Sequence, residues 1–330
     1  MLLSAPGSLA LGRTDCVVGI SEMTRVRSDD AKRLVTSRRL LPNLTGGIWT
    51  LSGFTTFWFL AVVLPLIGIV IFSFLQTKGI RVRWDWSFEA YEKLFFYGGG
   101  QLLERTIRIA ATMTIIELLL AFPFALWLAK GARNRTIKLL TFTALTVPFF
   151  LSPVARVVVW RSVMSIQGLV NTLLLDLGIV TEPIDWLIFS EFAVHLGFLG
   201  QYFPAMVWPI FLSIALIDDD YLEASKDLGA SRWRTLYHII LPLSLPGIVA
   251  GFVFCFVPML GDTIVPQQMG GGKVMMVSHN VYNMIGVRNW VMAAALASIV
   301  LAIMLSFQLL LWAALRPTGG LANVFANLKR

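Results

Sequence analysis

Apolar residues along this chain neither alternate nor keep to one helical face. They come in runs of about 20 mostly apolar residues, the length that carries a helix across about 30 Å of hydrocarbon. Six such runs stand out, at 54–76, 105–129, 137–161, 191–217, 240–260 and 291–315. The ten-residue alternation of a membrane barrel is absent, so the pattern predicts an all-α polytopic membrane protein with six transmembrane helices. It also sets the domain division: a polar, basic tail over 1–50, a membrane domain over 51–316 and a short tail over 317–330.

The intervals and irregular spans locate the candidate chemistry. The first span carries Pro65 and Gly68, which membrane helices tolerate, and reads as a peripheral anchor. The interval 77–104 reads as an external loop with Trp84, Trp86 and Tyr97 at the interface and a flexible Gly98, Gly99, Gly100. Glu117 sits near the middle of the second span. A charge there costs about 2.5–3.5 kcal/mol on insertion scales, so it should face protein or water, or be protonated. Arg156 lies deep in the third span beside Pro153, where a broken helix would offer free carbonyls, while Arg161 can snorkel. The acidic interval 162–190 reads as a solvated loop. The fourth span mixes His195, Gln201 and Tyr202 with Pro204 and Pro209, and such a broken polar helix is where a translocation path is expected. The fifth ends in Gly261, Asp262, Pro266 and Gly270–Gly272, an irregular external mouth. Glu117, Arg156, Gln201, Tyr202 and Asp262 are therefore the candidate path residues.

One polar interval is built like structure. Over 218–242, Asp218, Asp219 and Asp220 offer N-cap oxygens and negative charge to a helix start. Gly229 supplies a left-handed stop, and Ser231 can cap a second helix. That helix is predicted to be amphipathic, with Trp233, Leu236, Tyr237 and Ile240 on one stripe, before Pro242 bends the chain into the fifth span. A helix-glycine-helix with an apolar stripe suits docking into a groove on a soluble partner.

Composition changes this picture little: 57% of residues are hydrophobic, 14% charged, and mean hydropathy is +0.74. The formal charge of +8 would suit nucleic acid, but Lys and Arg cluster in the two tails and in the turns at 130–135 and 218–239. That distribution is a topology signal, placing both termini and the 218–242 loop in the cytoplasm. Cys16 and Cys255 cannot meet, so no disulfide is expected. The first 50 residues lack the features of a cleaved signal peptide, and Met23 is an alternative start. No HExxH, GxSxG or metal-spaced Cys/His cluster is present, and Gly270 to Lys273 is not a phosphate loop. Neither an enzyme nor a resident cofactor or metal is expected, and energy must come from partners or an ion gradient.

Glu223, Ala224, Gly229, Ile239, Leu241 and Pro242 together resemble the EAA loop of permease subunits in ABC importers, with Ser225 in place of the second Ala. Leu260, Gly261, Asp262 and Pro266 further resemble the L-G-D-x-x-x-P of spermidine/putrescine-type permeases, as do RTIRIA at 105, SPVARVVVW at 152, GLVN at 168 and YFPAMVWPI at 202. Where that family has Thr-Tyr-Ala-Trp, this chain has Val157, Val158, Val159 and Trp160.

The resemblance implies a type I importer fold in a bacterial inner membrane and two ATPase subunits that hold ATP and Mg. It also implies a second, different permease chain and an extracytoplasmic solute-binding protein. Polyamines are the implied substrate. The same scaffold carrying opines, amino-acid derivatives, thiamine, iron or sulfate, or a self-sufficient ion-coupled carrier, stays open at this point.

Overall fold

The computed structural model describes residues 44–78, 81–132 and 134–315. The tails with Cys16, Met23 and 317–330 lie outside them. The chain divides into two units, residues 1–66 and 67–330. The described part of the first is a single helix, α1 (Leu44–Ser73), which runs on into the second through Pro65. Over 52–69 nearly all its side chains are exposed, most of them apolar, Phe57 by 68% and Phe59 by 66%, as in a helix solvated by lipid.

In the second unit a short hairpin, β1 (Gln76–Lys78) with β2 (Arg81–Arg83), precedes α2 (Glu89–Phe96). There follow α3 (Gly99–Leu126), prolonged by a π-helical turn over Trp127–Gly131, α4 (Arg135–Phe150), α5 (Pro153–Met164) and α6 (Leu169–Asp176). After them run α7 (Glu191–Ala215), α8 (Asp219–Asp227) and α9 (Arg232–Thr235), which passes through a π turn at Leu236–Ile240 into α10 (Leu241–Gly261). The chain closes with α11 (Ile264–Met269), α12 (Val277–Gly286) and α13 (Trp290–Leu315). Among the described residues six stretches are long and apolar enough to cross a membrane.

Helix α7 is the centre of the unit, packed on α10, α3 and α5. Its approach to α10 depends on Gly247 and Gly251, spaced i, i+4. A Cβ at Gly247 would strike the Pro209 carbonyl and the Ser213 Cβ, and one at Gly251 would lie 2.8 Å from the Met206 sulfur. Lipid provides no hydrophobic drive between helices, so small residues that let backbones close are what hold such a pair.

Four expectations are corrected. The third span, expected over 137–161, does break where Pro153 foretold: Pro153 disfavours helix at Ser152, which turns extended (φ −62°, ψ 146°) and caps Ala155 N–H at 3.2 Å, and the membrane-length stretch is Pro153–Asp176 instead. The fourth span, expected to be broken, is one continuous helix through Pro204 and Pro209. The glycines at 98–100 are no flexible linker: Gly98 takes φ 84° as the N-cap, and Gly99 and Gly100 are helical. The interval 162–190 is ordered around the buried Asn171, whose amide accepts from Ile184 N–H at 2.8 Å and donates to the Ser165 carbonyl at 3.2 Å.

Candidate functional site

The 218–242 loop forms two helices meeting at Gly229. Asp218 accepts from Asp220 N–H at 3.3 Å and Ser231 from Arg234 N–H at 3.3 Å, so each helix starts on the cap its sequence predicts. Gly229 has φ 72°, and Ala230 N–H closes the helix end on the Ser225 carbonyl at 3.0 Å. Ser225, standing in for the usual small apolar residue, shares a 2.8 Å hydrogen bond with the Thr235 hydroxyl and locks the two helices together. Glu223, Ala224, Gly229 and Pro242 are exposed, and Ile239 and Leu241 are half-buried.

The amphipathic stripe divides. Ile240 is buried and Leu236 half-buried, while Trp233 and Tyr237 stack outward, 6.3 Å between ring centroids. The π turn advances the backbone by one residue and so rotates these pairs apart. The stacked rings, 69% and 60% exposed, make an apolar patch on a polar loop, the mark of an interaction surface.

Lys130, which sequence reasoning counted only as a topology charge, belongs to this site. From the π turn after α3 it donates to the Ile217 carbonyl at the end of α7 and to Asp219 at the start of α8, both at 2.6 Å. The Lys130 ammonium holds the Asp219 carboxyl below the usual carboxylate range. A lysine at a basic turn carries no sequence signal for such a partner.

The five candidate path residues converge on one turn of α7. Asp262, at the end of α10, accepts from the Gln201 amide and the Tyr202 hydroxyl through Oδ2, each at 2.8 Å. Its Oδ1 accepts from Ile264 and Val265 N–H at 2.7 and 3.1 Å, starting α11, and its carbonyl takes the Ser278 hydroxyl. Arg156 crosses from α5 to donate to the Gln201 carbonyl at 2.9 Å. Glu117 is fully buried on α3 beside the Cys255 thiol, which itself leans on the Tyr202 carbonyl at 3.6 Å.

Satisfaction is uneven within this cluster. Asp262 is saturated, whereas both Glu117 oxygens, Arg156 Nε and Gln201 Oε1 are buried without a hydrogen-bond partner. Unpaired groups of this kind are costly unless something else occupies them. At the start of α7, Arg108 Nη2 donates to both Glu191 carboxylate oxygens, at 2.9 and 3.1 Å, and His195 bonds the Glu191 carbonyl at 2.6 Å. His195 therefore sits in a hydrogen-bonded helix interface, its other ring nitrogen 3.3 Å from the Thr112 hydroxyl.

Residues 108–316 match the family model described as binding-protein-dependent transport system inner membrane component. The chain is 34% identical over 255 residues to the spermidine/putrescine transport system permease protein PotB of Escherichia coli K12, covering 77% of this chain and 91% of that one. The protein of the same name from Haemophilus influenzae is 30% identical, over 72% and 82%. Among solved structures, a chain of a bacterial alginate ABC transporter in complex with an alginate pentasaccharide-bound periplasmic protein superposes with a TM-score of 0.68. It covers 82% of this chain and 94% of that one at 18% identity.

Proposed function

The chain belongs to the binding-protein-dependent transport system inner membrane components, and on that footing we propose that it is the permease subunit of an ATP-driven importer of polyamines such as putrescine and spermidine. The observation that carries the substrate is the 34% identity to spermidine/putrescine permeases, spread over 77% of the chain rather than confined to one loop.

The division of labour follows from the two sites. Glu223, Ala224, Gly229 and the Trp233–Tyr237 patch dock on one of two separate ATPase subunits, which hold ATP and Mg; this chain hydrolyses nothing. Both termini and this loop face the cytoplasm, where the basic residues gather. A binding protein delivers substrate at the opposite face, where α3, α7 and α13 begin. A second permease chain completes the pore, since one such loop engages one ATPase.

Movement of α8 reaches the core by two short routes, Lys130 into α3 and the π turn into α10. Both helices border the turn of α7 that carries Gln201 and Tyr202. In that core the unpaired Glu117 carboxylate is the group suited to meet an alkyl ammonium in passage, while Asp262 holds the helices that surround it.

Uptake of labelled putrescine and spermidine by cells lacking this chain tests the reading. Wild type should restore uptake, and Gly229→Asp should insert normally yet fail to restore it. A wild-type chain present in the membrane with its partners that restores neither would overturn the polyamine assignment and turn the search to other small solutes.

A further inference from the structure

Far from the 218–242 loop, at the opposite face, two cavities adjoin. One, of about 310 Å³, is polar and lined by Gln76, Thr77, Glu89, Lys93, Arg288 and Asn289. Its neighbour, of about 460 Å³, is lined mainly by Tyr97, Leu102, Met275, Met284, Met292 and Leu296. They share Lys93, Asn289 and Met292. We infer that this joined cavity is a binding site for one phospholipid with an anionic headgroup, the phosphate on the Lys93 and Arg288 side and an acyl chain on the methionine side.

Three features point to that ligand. Among the described residues the polar half holds two cations, Lys93 and Arg288, against one carboxylate, Glu89, which pairs with Lys93 at 2.6 Å and leaves the Arg288 charge to be met. Gln76 and Asn289 line the same half and offer amide N–H donors to phosphate oxygens. The apolar half runs down the membrane: Leu296 lies six residues into α13, about 10 Å below the lip at 1.5 Å per residue. Exposed Trp84, Trp86 and Tyr97 mark the lip as headgroup level, and methionines suit a chain of variable shape.

Arg288 strengthens the case by its backbone. It sits at the end of α12 with φ 59°, closing the helix through Asn289 N–H to the Met284 carbonyl at 2.9 Å. Glycine is the residue that takes this position without strain. The Arg288 side chain has no ion-pair or hydrogen-bond partner among the described residues, which leaves its charge to a ligand.

That strain also provides the test, because Arg288→Gly removes the cation while relieving the fold. Native mass spectrometry of the full-length chain in mild detergent would follow retention of phosphatidylglycerol and of phosphatidylethanolamine with the same acyl chains. Wild type should keep one phosphatidylglycerol, and Arg288→Gly or Lys93→Gln should lower its affinity roughly tenfold, the scale of one charge-assisted contact. Equal retention of the two lipids, unchanged retention in both variants, or displacement of the lipid by an equal concentration of free glycerol phosphate would each overturn the inference.

Discussion

Lys130 Nζ lies 2.6 Å from Asp219 Oδ1 and the same distance from the Ile217 carbonyl, so one ammonium group joins the ends of three helices. Its side chain is 18% exposed and that of Asp219 is 73% exposed. The bond to the carbonyl is therefore the stronger restraint, since an exposed ion pair contributes little. Lys130→Met should lower stability by roughly 1–2 kcal/mol and cut substrate-stimulated ATP hydrolysis in the assembled transporter while leaving basal hydrolysis intact. Unchanged stimulation would show that the coupling movement bypasses this contact.

The Asp219 side of the contact makes a pH prediction. Because Lys130 depresses the folded carboxyl, its contribution is fully present above the ordinary carboxylate pKa of about 3.9. It is lost as pH falls through the lower, folded value. A melting difference between wild type and Asp219→Asn should be constant from pH 7 down to the ordinary carboxylate range and vanish only below it. A difference already disappearing near pH 6 would contradict the pairing.

Gly229 separates turn strain from docking. Its φ of 72° penalises a side chain, yet an added Cβ would meet nothing within 4 Å. Asn tolerates the left-handed region and Val does not. Gly229→Asn should therefore melt near wild type, whereas Gly229→Val should lose roughly 1–2 kcal/mol. If both uncouple transport from hydrolysis, the partner surface lies against position 229; if only Val does, the turn itself is what matters.

How legible this was in the sequence depended on the range of the forces involved. Lipid-length runs and local capping residues located five of the six spans and both helices of the loop, because the physics there is within a turn or two of the residue concerned; the third was misplaced, at 137–161 rather than Pro153–Asp176. Pro153 was readable as a break but Pro204 was not readable as harmless, since what rescues a proline is its neighbours: Arg156 approaches from α5 at the adjacent Gln201 carbonyl. Asp262 could be picked out, but its saturation by Gln201, Tyr202 and two backbone N–H groups required the fold. The split of Trp233 and Tyr237 from Leu236 and Ile240 came from a π turn, which a 3.6-residue period does not anticipate.

Glu117 is the residue at which stability and transport should part. Both carboxylate oxygens are buried, with no strong donor on either and only the weakly donating Cys255 thiol beside them, so the fold gains little from them. Replacing such a group by an apolar side chain of similar size is often neutral or stabilising. Glu117→Leu should accordingly melt at or above the wild-type temperature, and Glu117→Gln near it. If an ammonium group of the substrate meets this carboxylate, both variants should lower polyamine uptake about tenfold or more, the cost of one charge-assisted contact, with protein level and basal hydrolysis unchanged. Asp262→Ala is the contrast, because it strands Gln201, Tyr202 and two backbone donors and should cost roughly 3 kcal/mol or more. A Glu117→Leu chain that is destabilised like Asp262→Ala would make Glu117 a structural residue; one that is stable and transports normally would move the substrate path elsewhere in the fold.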